Sequence, residues 1–212
     1  MERMEYRDAR DMMRAGDVIA FGGKGNFSNI IKAFTRSPVS HVGIIMQTHI
    51  NGDGRVFNEI AESTSLNGFS GVIRSRLSAR LASYNGEVWW MPLSNEVRER
   101  FDEKAFFDFL FAQDGKPYDK KQAIGSAIDG IPFIGQNKED FDRLFCSELN
   151  AGALEAAGVI DVNSSEVTPI ELVRWNLYRG VYQLTGEDKE IPRFNTVPII
   201  KKQASQFGRP VV

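Results

Sequence analysis

Ser37-Pro38-Val39-Ser40-His41-Val42-Gly43-Ile44-Ile45-Met46 is the stretch on which the fold turns. Pro38 resists helix continuation, and from His41 onward the residues favour an extended chain. The turn chemistry of Asn51-Gly52-Asp53-Gly54 follows, and then a second run from Arg55 to Glu62. Two extended runs around a Gly/Asn/Asp cluster predict an antiparallel hairpin of residues 41–48 and 55–62.

Upstream of the hairpin, residues 2–14 read as a short charged helix closed by Gly16-Asp17, a turn pair that launches the strand Val18-Ile19-Ala20-Phe21. Gly22-Gly23-Lys24-Gly25 reads as a flexible loop whose spacing fits neither common phosphate-binding glycine pattern. Residues 27–34 have helical apolar spacing. Downstream, residues 76–84 predict a short helix and Glu87–Leu93 a third strand. Residues 95–112 predict a helix whose phenylalanines (Phe101, Phe106, Phe107, Phe109, Phe111) suit a core better than a ligand cage. Asp119–Ile128 and Phe141–Ala157 predict further helices, the second stopped by Gly158. Thr168-Pro169-Ile170-Glu171 opens another, with Thr168 placed to cap it and Pro169 suited to its first turn. Tyr178–Leu184 is a last strand. Strands early and helices late indicate α+β. A domain over residues 1–186 is expected, with 187–212 as an extended, proline-punctuated tail able to dock on a neighbour or a second copy.

The bulk numbers agree with one globular domain: 212 residues, 42 % hydrophobic and 25 % charged. A net charge of -2 gives no broad electrostatic reason to bind nucleic acid or an anionic membrane. One cysteine excludes an internal disulfide, and two histidines, His41 and His49, leave too few ligands for a Cys/His zinc site. No cofactor or metal is expected. No window approaches a membrane-spanning apolar run, and the charged start lacks the apolar core of a secretory signal. A cytoplasmic protein is expected, with virion or host cell as other final compartments.

Three residues carry candidate chemistry. Cys146, in Leu144-Phe145-Cys146-Ser147-Glu148-Leu149-Asn150, reads as standing directly before a helix. Unpaired N–H groups and the helix dipole there would favour thiolate and bind an oxyanion. The bland alternative is a buried thiol packed between Phe145 and Leu149. His41 opens a mostly apolar strand, with Gly43 on the same face leaving room beside the ring. Alone it reads as a hydrogen-bonded structural histidine. Glu62 ends the partner strand, so hairpin pairing brings it near His41, where a carboxylate would hold one tautomer and stabilise imidazolium. Glu59 is the rival, on the opposite face of a regular strand.

Taken in order, these segments resemble a known group. Gly16-Asp17-Val18-Ile19, Ser40-His41-Val42-Gly43-Ile44 and Glu62 resemble the front half of the permuted NlpC-type papain-like proteins, in their YiiX-like and lecithin:retinol acyltransferase-like branch. Gly115-Lys116-Pro117-Tyr118-Asp119, Phe145-Cys146-Ser147-Glu148-Leu149 and Thr168-Pro169 resemble its back half. Histidine precedes cysteine, the reverse of papain order. The resemblance spans roughly residues 15–175 and implies a small antiparallel sheet packed on helices, with the nucleophile at a helix N-terminus. It implies Cys146 as nucleophile, His41 as base and Glu62 as the polar third residue, with Tyr118 and Asp119 structural. Family activities are hydrolysis of amides in peptides or cell-wall peptides through a thioester and, in the other branch, acyl transfer or lipid deacylation. A catalytically silent peptide- or lipid-binding module, or a structural module of cellular or viral origin, is the competing expectation.

Overall fold

The structure is a computed structural model and describes residues 1–23, 37–66, 68–117, 138–164 and 167–199, with side chains of the 138–164 segment from Cys146 onward. The loop residues Lys24 and Gly25, the helices expected over 27–34 and 119–128, and Tyr118 and Asp119 lie outside the described residues.

The hairpin forms from His41–Ile50 (β3) and Val56–Leu66 (β4), paired antiparallel with Ile50 opposite Val56 and Ile44 opposite Ala61. Its turn closes with the Asn51 N–H donating to the Arg55 carbonyl and the Gly54 N–H to that of Asn51, each at 2.9 Å. Val18–Gly23 (β2) pairs with β3, Gly86–Met91 (β6) with β2, and Tyr182–Thr185 (β7) with β6. Phe69–Arg76 (β5) extends the other side, on β4, and Glu2–Arg3 (β1) lies parallel on β7.

The result corrects the small antiparallel sheet expected from sequence: it is a mixed, open sheet of seven strands in the order β1-β7-β6-β2-β3-β4-β5. The chain is α+β as expected. Residues 2–14 are not one helix but β1, a single helical turn Tyr6–Ala9 (α1) and a 3-10 turn Arg10–Met12. Only Ala9 and Met13 of that stretch are buried, too little apolar surface to hold a longer helix against the sheet.

Strand alternation divides the core in two. Val42, Ile44 and Met46 face a layer containing Trp89, Phe106 and Leu154, whereas Ile45 and Ile60 join Ile19, Phe21, Val88 and Trp90 on the other side. The second layer is covered by Leu77–Ser83 (α2), which buries Leu77. The first is covered by helices. The one expected over 95–112 is split into Asn95–Glu99 (α3) and Glu103–Gln113 (α4). Ser94 accepts from the Val97 N–H and Asp102 from that of Ala105, so each half carries its own N-cap. Lys138–Ala156 (α5) packs on β3, β4 and α4. Its Gly152 lets the helices touch, since a Cβ there would sit 2.6 Å from the Phe109 ring. Pro169–Arg174 (α6) starts on the expected Thr168 cap, which Glu171 completes as a capping box.

Asp17 ties the layers at the start of β2. Fully buried, it accepts hydrogen bonds from the Trp90 indole at 2.9 Å and the Arg14 and Leu93 N–H groups at 3.0 Å, and pairs with Arg98. Residues 187–199, expected as an extended tail, fold back instead: the Lys189 carbonyl accepts from Trp89, Phe194 stacks on Tyr178, and Ile191 is buried.

Candidate active site

His41 is the first residue of β3 and Glu62 lies on β4 beside Gly43, by continuation of the Ile44–Ala61 register. The carboxylate therefore reaches the imidazole diagonally, one step from a direct cross-strand pair. Gly43 makes this possible: a Cβ there would stand 2.8 Å from Glu62 Cγ and 2.7 Å from Ile60 Cδ1. His41 Nε2–H donates to Glu62 Oε1 at 2.9 Å. The carboxylate is 1 % exposed and the histidine 8 %. Glu59 is elsewhere, as alternation requires, accepting from Gln47 at 3.0 Å and lying near His49 and Arg74.

Cys146 belongs to the first layer, among residues that include Val42, Ile44, Ala61 and Leu149, and has no exposed surface. Its thiol nevertheless lies close enough to the His41 side chain to favour the ring's charged form. With Nε2 turned to the carboxylate, Nδ1 is the nitrogen left for sulfur. The imidazole is where the two layers meet, in ring contact with Phe21 of the second at 5.3 Å and close to a thiol of the first. Core filling explains the packing of the sulfur but not the imidazole and carboxylate brought to it.

The helix N-terminus expected at Cys146 is corrected. Among the described residues the helix already runs from Lys138, so Cys146 lies in its interior, at least two turns from its start. Dipole effects fade within the first turn, and an interior N–H is not an open oxyanion donor. Whatever activates this thiol comes from the side chains around it. One turn on, buried Asn150 donates from Nδ2 to the Cys146 carbonyl at 2.6 Å, and Ser147 Oγ donates to the Val167 carbonyl, tying the helix to the approach of α6.

A fourth residue, Arg80 of α2, was not singled out from sequence. Its Nε donates to Glu62 Oε2 at 2.6 Å and its NH2 to Oε1 at 2.9 Å. The guanidinium lies over the rings of Phe21 and Tyr84 at 5.3 and 5.6 Å. An arginine on a short amphipathic helix reads as solvated; only the fold turns it inward.

Electrostatics follow from this chain of groups. Burial alone would push the Glu62 carboxyl up, but hydrogen bonds from His41 and Arg80 outweigh it and hold the group at about 2. Burial alone would depress His41. Interaction with Cys146, and then with Glu62, outweighs burial and lifts it to about 9. The arrangement favours imidazolium beside a carboxylate.

Comparison with known proteins gives little sequence-level relation. No family model matches the chain, and no curated protein does. Among solved structures, it is similar to the crystal structure of the metalloprotein YiiX from Escherichia coli O157:H7, at 19 % identity and a TM-score of 0.41. The match covers 68 % of this chain and 66 % of that one, so the chain spans slightly less than two thirds of YiiX.

Proposed function

We propose that the chain is a cysteine hydrolase of the permuted NlpC-type papain-like kind that cleaves an amide bond in a peptide or cell-wall peptide. One observation carries the reading: an imidazole hydrogen-bonded to a buried carboxylate also interacts with the chain's only thiol. The Cys146 thiolate attacks the carbonyl carbon. The His41 imidazolium then gives its proton to the leaving amine as the C–N bond breaks, leaving a thioester on Cys146. Neutral His41 takes a proton from water, whose oxygen attacks the thioester; the acid leaves and the thiolate–imidazolium pair returns. Glu62 holds the ring in the tautomer that faces sulfur and balances its charge.

YiiX is a metalloprotein by its description, but a metal forms no part of this proposal. Among the described residues no group of three or more His, Cys, Asp and Glu is placed to hold one, and both oxygens of Glu62 already accept hydrogen bonds. Among the described residues, no helix is long and apolar enough to cross a membrane.

The test uses p-nitrophenyl acetate as acyl donor. The expected result is a burst of one p-nitrophenol per chain and an acetyl adduct on Cys146 by mass spectrometry, absent in Cys146→Ala and strongly slowed in His41→Ala. No burst, or an adduct elsewhere, overturns the reading. Complete burial of Cys146 favours a second reading, a binding module that keeps the fold without turnover. That module would hold a peptide or lipid yet show no acyl adduct.

A further inference from the structure

We infer that Arg80 is a positioning residue of this site, its guanidinium gripping both oxygens of Glu62 and so fixing the carboxylate's direction and charge. The inference rests on the cysteine-hydrolase reading above. Its ground is the paired geometry, Nε to Oε2 at 2.6 Å and NH2 to Oε1 at 2.9 Å, on a carboxylate with 1 % exposure. A planar fork matches a carboxylate in a way that an ammonium cannot. His41 touches one oxygen only, so without the arginine the other would be buried with no donor identified for it. The rings of Phe21 and Tyr84 beneath the guanidinium hold it in place rather than competing for its N–H groups.

The groups around Glu62 are few. His41 reaches it from β3, Arg80 comes from α2, Tyr84 follows that helix, and Cys146 of α5 lies behind the imidazole. Ile73, opposite Glu62 on β5, is apolar. In the thiolate–imidazolium state the series Cys146, His41, Glu62, Arg80 alternates in sign and sums to zero. Removing Arg80 leaves a buried site with an excess negative charge. The least costly relief is a proton on Glu62, since a desolvated carboxylate without its cation prefers the neutral form. A neutral Glu62 no longer stabilises imidazolium, and the acid side of the reaction suffers first.

The test compares wild type, Arg80→Met and Arg80→Lys as full chains. The Glu62 carboxyl is titrated by NMR of side-chain-labelled glutamate, assigned with Glu62→Gln, and burst acylation by p-nitrophenyl acetate is followed against pH. In wild type the Glu62 signal is expected to titrate at about 2. In Arg80→Met it is expected to rise by more than about one pH unit, a tenfold change in proton affinity, and the acid limb of acylation to move up with it. Arg80→Lys, with charge but no fork, falls between the two. A folded Arg80→Met with an unmoved titration and a rate lowered equally at every pH means that Arg80 only packs, and the inference fails. Should Arg80→Met not fold, a wild-type titration and rate in Arg80→Lys sink it equally. Absence of any wild-type acyl adduct on Cys146 would defeat the hydrolase reading, while the carboxyl titration still decides whether Arg80 governs Glu62.

Discussion

Gly43→Ala tests whether the site is held open by a missing side chain. The new Cβ would lie 2.7 Å from Ile60 Cδ1 and 2.8 Å from Glu62 Cγ, against the 3.4 Å at which ordinary contact begins. Neither neighbour can step aside freely. Ile60 is fully buried in the second layer, and Glu62 is held by His41 and Arg80. If Ile60 absorbs the clash, overpacking of this kind costs about 1–3 kcal/mol. For a chain of this size that lowers the melting temperature by about 2–12 °C. If Glu62 absorbs it, a shift of roughly half an ångström carries the 2.9 Å bond to His41 toward the outer limit of a hydrogen bond. Charge-assisted bonds contribute about 1.5–3 kcal/mol, so the acylation rate drops roughly 10- to 100-fold. Calorimetry and the burst assay on the same preparation apportion the loss between the two routes. Unchanged melting together with unchanged acylation would refute the reasoning, because the added methyl must displace one neighbour or the other.

Two further predictions follow from buried charge. The His41–Glu62 pair confines its own stabilisation to a pH window. Glu62 is depressed from 4.5 to about 2, so its contribution is full above 4.5 and fades as acid approaches 2. His41 is raised from 6.5 to about 9, so its contribution is full below 6.5 and disappears as pH climbs through 9. The urea midpoint of wild type minus that of His41→Gln should therefore be largest between 4.5 and 6.5 and shrink on both sides; a flat difference argues against the pair. Asp17→Asn replaces an acceptor of four donors by a group with two N–H donors of its own and strands the half-buried Arg98. Breaking such a pair costs about 3–5 kcal/mol, or roughly 6–20 °C in melting temperature by calorimetry. A loss of no more than a degree would show that water replaces the carboxylate at no cost.

Much of this was legible from local chemistry. The turn at Asn51–Gly54 and the β-branched run after His41 fix the central hairpin, and Thr168-Pro169-Ile170-Glu171 is its own helix start. Harder were elements whose state is decided by neighbours. Phe69–Arg76 carries serine, glycine and two arginines, and becomes a strand because β4 offers a free edge. Glu2–Arg3 has no strand signal at all and is held by β7. At the site, residue types and pairing suggested which groups could meet, but not how the sulfur would be set. Cys-Ser-Glu reads as a helix start, yet the helix already runs through the residues before it. Arg80 was invisible for a related reason: a single basic residue on a short helix gives no hint that a buried acid on β4 faces it.

That the sulfur sits in one layer and its acid partners hang from the other has a consequence for how the chain matures. A nascent or partly melted molecule, with either half of the core unformed, would carry an ordinary thiol and an ordinary imidazole, each ignorant of the other. Under the proposed mechanism, reactivity switches on only when both sides of the sheet have closed, and because this is the sole cysteine in the sequence, the rate of its acylation would double as a gauge of how completely the molecule is built.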